Sequence, residues 1–167
     1  MSENSIKIVA FSDLHGEINP QLTDFFMKNP ADILIFAGDI QYNPYDYGDK
    51  TVDWIDSLPY TYKLCTFGNH DGNYKRFIKK VAKKKNFYFL VNEAITIMGI
   101  NFFFSPDSPL FGSWYFMHSE KELEKIYAKI PENTDFLVTH TPPFGVLDQN
   151  RPGVHLGSKA LRARIPF

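Results

Sequence analysis

The chain has 167 residues, of which 44% are hydrophobic and 16% aromatic, and its 18 basic and 19 acidic side chains almost cancel. These values predict a single globular domain, spanning residues 1–167, with a sizeable core. A net charge of −1 gives no basic surface for nucleic acid, and no apolar run is long enough to span a bilayer. A polar N-terminus without signal-peptide features and a single cysteine, Cys65, in an apolar run predict a reduced, cytoplasmic protein.

Short apolar runs alternate with helical patterns over the first two thirds of the chain, which predicts βαβ units and a mainly parallel sheet. Pro20 marks the start of the first helix, and Asp49 is the predicted N-cap of the second. Further on, Gly99 predicts a hairpin turn, and Ser119 with Glu122 forms a capping-box pattern. The predicted strands span residues 6–11, 32–36, 61–67, 86–91, 94–98, 100–104 and 135–139, and the predicted early helices span 20–29, 50–58 and 74–85.

Two groups of basic residues raise the question of an anion-binding surface. Seven lysines and arginines lie between Lys75 and Lys85 on the third predicted helix, where they form either a binding face or the solvated side of an amphipathic helix. We favour the second interpretation, because acidic residues elsewhere cancel the charge. Arg151, Arg162 and Arg164 either attract a phosphate or are simply solvated.

Four predicted strands are followed directly by polar residues that suit metal binding. The carboxyl ends of parallel strands gather at one edge of a sheet, where ligands bind, so these residues are expected to converge. Each motif alone also fits a common turn or cap. Together, carboxylates mixed with imidazoles predict a site for Mn, Fe or Zn. The residues are, in chain order, Asp13, His15, Asp39, Asn69, His70, Asp71 and His140.

In this order the motifs resemble those of the calcineurin-like metallophosphoesterases, and the resemblance covers nearly the whole chain. Residues 105–109, 114–116 and 139–148 are similar, more specifically, to the compact phosphodiesterase subfamily with a short metallophosphoesterase domain, although Asp107 stands where that subfamily usually has an aromatic residue. The resemblance implies an α/β metallophosphoesterase fold, which is a four-layer α/β/β/α sandwich of two mixed sheets flanked by helices.

The resemblance also implies which residues hold two divalent metal ions (Mn, Fe, Zn or Mg). Asp13 and His15 would hold one cation, and Asn69 with His140 would hold the second. Asp39 would bridge the two and keep them about 3.5–4 Å apart, where both can contact one phosphate and activate a shared water.

The same resemblance assigns substrate contact and catalysis to residues 69–71, which follow the third predicted strand. His70, with Asn69 beside it at the substrate, would stabilise developing charge or protonate the leaving alkoxide, and Asp71 would orient the His70 ring. The implied reaction is hydrolysis of a phosphoester by a metal-activated water.

The family has one further motif, Gly-His-x-His, which this sequence does not contain. After His140 the one histidine is His155, which is either a substitute ligand or, as we favour, a substrate-facing or surface residue. The absence predicts a domain incomplete at its C-terminal end, three protein ligands for each cation, weak metal retention and low hydrolysis. It also predicts an open sheet edge that a partner chain or a second copy covers.

The predicted substrates are small phosphodiesters, either cyclic nucleotide-like or nucleotide-derived, because the chain has little sequence to build a large cap. Two alternatives remain open: a phosphomonoesterase, and a binding or scaffold module of the same fold that is catalytically weak or inactive. The aromatic segment 111–116 either lines the pocket or packs on the second sheet, and His118 has no predicted role.

Overall fold

The computed structural model describes residues 5–42 and 48–165. Its order confirms the predicted alternation of strands and helices as far as residue 89, whereas the prediction covered the first two thirds of the chain. The elements are β1 (Ile8–Phe11), α1 (Pro20–Lys28), β2 (Ile33–Ala37), α2 (Asp49–Ser57), β3 (Tyr62–Thr66), α3 (Tyr74–Val81), β4 (Phe87–Phe89), β5 (Glu93–Ile97), β6 (Ile100–Ser105), β7 (Ser108–Pro109), β8 (Met117–His118), α4 (Glu120–Tyr127), β9 (Phe136–Thr139) and α5 (Lys159–Arg164).

Two main sheets carry the fold. The first has the order β1-β2-β3-β4, and all its described strands are parallel. The second has the order β5-β6-β9, with an antiparallel β5–β6 hairpin and a parallel β6–β9 pair. The two sheets with flanking helices confirm the predicted α/β fold class, and the described strands of the first sheet are parallel because each helical connection returns the chain in the same direction. Met98 and Gly99 turn the hairpin with φ values of 53° and 83°.

Three hydrophobic cores separate four layers. On β2, Leu34 and Phe36 pack towards α1, α2 and α3, whereas Ile33 and Ile35 pack towards the second sheet. Burial on both faces explains why β2 is a continuous apolar run. A third core joins Phe103 of the second sheet to α4 and α5. The layers follow the order α/β/β/α, as the resemblance implies.

The helix termini and helix surfaces differ from the predictions in two places. Gly48, with a left-handed φ of 56°, is the N-cap of α2, so the predicted cap Asp49 is instead the first helical residue. Asp49 forms ion pairs with Arg76 and Lys80 on α3, and the Arg76 hydrogen bond lowers the pKa of the Asp49 carboxyl. Basic residues of α3 therefore face acidic residues of α2. The capping box of Ser119 is present at the start of α4.

Within residues 5–42 and 48–165, no helix combines the length and apolar character needed to cross a membrane.

Candidate metal centre

The loops that follow β1 and β2 are tied together at the edge of the first sheet. The Asp13 N–H donates to the Gly38 carbonyl at 2.9 Å, and the His15 N–H donates to the Asp39 carbonyl at 3.0 Å. Asp13, His15 and Asp39 all adopt positive φ values, of 57°, 47° and 60°. Residues other than glycine rarely adopt this conformation, and such strain concentrates at functional sites.

Backbone carbonyl oxygens contact the Nδ1 atoms of three histidines in the site. The oxygen that lies against Nδ1 belongs to Gln41 for His15 (3.1 Å), to Tyr42 for His70 (3.0 Å) and to Ala37 for His140 (2.9 Å). A carbonyl oxygen only accepts hydrogen bonds, so Nδ1 carries the hydrogen, and a ring in its neutral form presents the lone pair of Nε2. Metal-bound histidines are typically oriented by such a partner.

Asp39 lies between two of these imidazoles and is almost fully buried. Its Oδ2 is 3.4 Å from His15 Nε2, and its Oδ1 is 3.5 Å from His140 Nε2. Asp39 is shared by two clusters of potential ligand atoms that lie within 4.8 Å of one another: one with His15 and His70, the other with Asp13 and His140. The resemblance groups Asp13 with His15 instead, and treats His70 as a non-ligand.

The cluster of Asp13, Asp39 and His140 has both donor atoms and space for a cation. Asn69 Oδ1 is 3.1 Å from His140 Nε2, so two atoms that carry lone pairs face each other beside the Asp39 carboxylate. An added Cβ at Gly68 would lie 2.1 Å from Asp39 Oδ1 and 2.6 Å from His140 Nε2, so glycine keeps this space free. Nitrogen and oxygen donors around such a space fit Mn, Fe or Zn.

Asp71 makes different contacts from those that its predicted role requires. Its two carboxylate oxygens accept hydrogen bonds from four backbone N–H groups, while the His70 ring is held by Tyr42. The prediction that Asp71 orients the His70 ring is therefore wrong, because both of its oxygens are already engaged. Burial raises the pKa of Asp71 to about 7, and the backbone hydrogen bonds oppose that rise. The four donors are Asp39, Ile40, Gln41 and Gly68.

A cavity of about 510 Å³ opens in front of this centre, within the size range of small-molecule sites. Trp114 lines it, with its ring centroid 4.1 Å from that of His70, so part of the aromatic segment 111–116 belongs to the pocket. No lysine or arginine is among the described residues of the lining, which excludes Arg151, Arg162 and Arg164 from it. The lining residues are Asp13, Leu14, His15, Glu17, Tyr42, His70 and Trp114.

The remaining histidines belong to separate pairs. His155 Nδ1 is 2.6 Å from Asp148, and His155 is in neither ligand cluster of the described chain. His118 Nε2 is 2.8 Å from Asp107, which is buried and also accepts a hydrogen bond from Ser105. This network was not predicted, and its one signal in the sequence is Asp107, which stands where the subfamily usually has an aromatic residue.

Cys65 is buried, as predicted, and burial raises the pKa of its thiol.

Comparisons with known proteins place the chain in a family. A family model described as calcineurin-like phosphoesterase matches residues 6–166. Human metallophosphoesterase domain-containing protein 1 is 30% identical, over 85% of this chain and 50% of its own length. A UPF0046 protein of Caenorhabditis elegans is 30% identical, over 86% of this chain and 53% of its own. A protein of Emericella nidulans named "Probable rhamnogalacturonate lyase C" is 33% identical, over 98% of this chain but 16% of its own.

The chain thus spans about half or less of the length of these three relatives. The family match covers nearly all of the chain, including the strand ends that carry the site. The chain therefore belongs to the calcineurin-like phosphoesterase family, a family of metal-dependent hydrolases.

Proposed function

We propose that the chain hydrolyses small phosphodiesters with the aid of two divalent cations. The observation that carries the proposal is the position of Asp39, whose two carboxylate oxygens face imidazole nitrogens of His15 and His140 on opposite sides. Divalent cations held there would neutralise phosphate charge and activate water, as they do in two-metal phosphoesterases. The proposed ligands are Asp13, His15, Asp39, Asn69 and His140.

His70 is the proposed general acid. Its backbone N–H donates to Asp39 Oδ1 at 3.0 Å, and its Nδ1 is engaged by the Tyr42 carbonyl, so Nε2 is the ring nitrogen left for the substrate. When a water oxygen adds to phosphorus, the bond from phosphorus to the leaving oxygen breaks. Protonated His70 Nε2 then gives its proton to that oxygen, which departs as an alcohol.

The charge of the lining favours a diester over a monoester. A phosphodiester carries one negative charge, whereas a monoester carries about −1.5 to −2 at neutral pH. Apart from the proposed cations and their ligand Asp13, the described lining contains the acidic residue Glu17 and no basic residue to balance the additional charge of a monoester. Phosphomonoester hydrolysis is therefore the second candidate, and a metal-binding module without turnover is the third.

Metal analysis combined with two chromogenic substrates tests the proposal. We expect the purified chain with added Mn²⁺ to bind the metal and to hydrolyse bis-p-nitrophenyl phosphate faster than p-nitrophenyl phosphate. Asp39→Asn should lose metal and activity, and His70→Ala should keep metal but lose at least 100-fold in rate, the usual contribution of a general acid. Asp53→Asn is the matched control, because Asp53 pairs with Lys80 on the surface of α2.

Each alternative has its own outcome in this experiment. A strong preference for the monoester would support the phosphomonoesterase, and stoichiometric metal without hydrolysis would support the binding module. Activity that survives both Asp39→Asn and His70→Ala would show that this centre is not its source.

A further inference from the structure

Trp114 occupies an unusual position for a large aromatic residue. It lies in the segment between β7 and β8, 45% of its surface is exposed, and it lines the cavity in front of the metal centre. The two ring centroids of Trp114 and His70 are 4.1 Å apart, with an angle of 41° between the ring planes. An exposed tryptophan gains little from burial in the free protein, so its position needs another explanation.

The segment that carries Trp114 is fastened to the loop after β3 by its next two residues. The Tyr115 N–H donates to the Asn69 carbonyl at 3.0 Å, and the Tyr115 ring covers Gly72, where a Cβ would come within 2.5 Å of it. The Phe116 ring is parallel to that of Phe67, with centroids 6.0 Å apart. These contacts fix the Trp114 backbone relative to His70, so the segment that presents the indole to the cavity is in place before a ligand arrives.

The residues that line the cavity indicate which kind of ligand group Trp114 contacts. Apart from the acidic groups and Leu14, the described lining consists of aromatic rings, and it contains no lysine or arginine to bind a second phosphate. Aromatic lining residues bind planar apolar groups by offset stacking on the ring faces. The rings in question are His15, Tyr42, His70 and Trp114.

The distance between His70 and Trp114 links stacking to the reaction site. A substrate oxygen within hydrogen-bond reach of His70 Nε2 brings its attached atoms next to the indole, because the ring centroids are 4.1 Å apart. We propose that Trp114 is a specificity-determining residue, on which a planar aromatic group of the substrate stacks, either an aryl ring or a nucleobase. This inference rests on the proposed function, because it assumes that the phosphate lies at the metal centre.

Intrinsic fluorescence provides a test that does not depend on turnover. The chain has two tryptophans, and Trp54 packs against Phe11 and Phe26 away from the cavity, so Trp54→Phe leaves Trp114 as the one reporter. Adenosine 5′-monophosphate and ribose 5-phosphate, which differ by the base alone, are titrated in the presence of Mg²⁺. We expect the nucleotide to quench Trp114 fluorescence and to bind more tightly than ribose 5-phosphate.

Substitutions at Trp114, with the binding of both ligands measured by calorimetry, separate stacking from a structural role. Trp114→Leu should weaken binding of the nucleotide about 5- to 150-fold, the effect of losing one base–aromatic stack, and should change binding of ribose 5-phosphate less than twofold. Trp114→Phe, which retains a ring, should restore most of the nucleotide affinity. Equal affinities of the two ligands for the wild type, or unchanged nucleotide affinity in Trp114→Leu, would overturn the proposal.

Kinetics distinguish a failure of this inference from a failure of the proposed function. If wild type hydrolyses bis-p-nitrophenyl phosphate but Trp114→Leu has an unchanged KM, the aromatic contact is wrong and the phosphodiesterase stands. If wild type hydrolyses no phosphoester but binds the nucleotide through Trp114, the contact stands and the proposed reaction is wrong. The expected result is a raised KM with a smaller change in kcat.

Discussion

Replacing Gly68 by alanine tests whether a cation lies between Asp39 and His140. The added Cβ would lie 2.1 Å from Asp39 Oδ1 and 2.6 Å from His140 Nε2, whereas ordinary contacts begin near 3.4 Å. The two side chains must therefore withdraw by roughly 1 Å, about twice the displacement that a functional constellation tolerates. The substitution fills the proposed cation position and leaves every ligand residue in the sequence.

The expected loss is large for metal binding and moderate for stability. We expect Mn²⁺ affinity to fall at least 100-fold, equivalent to about 3 kcal/mol, because two ligands move together. Overpacking costs about 1–3 kcal/mol of the free energy of unfolding, which a domain with about 5–15 kcal/mol survives. Gly68 does not have a left-handed φ, so alanine adds no backbone strain there.

Calorimetric titration with Mn²⁺ and urea unfolding of the metal-free protein measure the two effects separately. Gly99→Ala is the control: Gly99 has a φ of 83° with no atom within 4 Å of an added Cβ, so its alanine strains the backbone by about 1–2 kcal/mol without approaching the site. We expect this variant to bind Mn²⁺ like the wild type. Wild-type Mn²⁺ affinity in Gly68→Ala would refute the placement of a cation between Asp39 and His140.

Three further predictions follow from the same structure. Free Mn²⁺ at 100 times its Kd should raise the free energy of unfolding by about 2.7 kcal/mol in the wild type and in Asp53→Asn but not in Asp39→Asn, as urea titrations will show. Because burial raises the pKa of Asp71 to about 7, the metal-free folded state keeps a proton that the unfolded state releases. As the pH rises from 4 to 7, the free energy of unfolding of the metal-free wild type should therefore fall by up to about 4 kcal/mol more than that of Asp71→Asn. Parallel pH profiles of the two proteins would contradict this. Cys65, which is buried, should react with a thiol reagent after unfolding and not before; rapid labelling of the native protein would contradict its burial.

The convergence of the site residues could be predicted because it depends on sheet geometry. His140 and Asn69 are 71 positions apart in sequence, yet His140 Nε2 lies 3.1 Å from Asn69 Oδ1. Asn69 follows β3 of the first sheet and His140 follows β9 of the second, and the carboxyl ends of these strands meet at one edge of the sandwich. Strand ends followed by polar residues are visible in the sequence, and the direction of the strands follows from the helical connections between them.

Roles that depend on burial could not be predicted in the same way. Asp71 follows His70 directly and has the residue type expected of a group that orients a histidine, but its carboxyl group points to backbone N–H groups of two loops. The carbonyls that hold the histidine rings have no sequence signature either, since every residue supplies one. The Asp107–His118 pair joins the residue before β7 to β8, and no local sequence pattern indicates this contact.

One short segment, residues 37–42, positions most of the centre. Its carbonyl groups hold the rings of His15, His70 and His140, and its Asp39 side chain lies between the two ligand clusters. Three of its backbone N–H groups in turn donate to the Asp71 carboxyl. Asp71 therefore holds the segment whose carbonyls contact all three rings, so we expect its loss to displace several proposed ligands together, whereas loss of His140 would remove one. A residue outside the proposed ligand set would then control the geometry of the centre through the backbone.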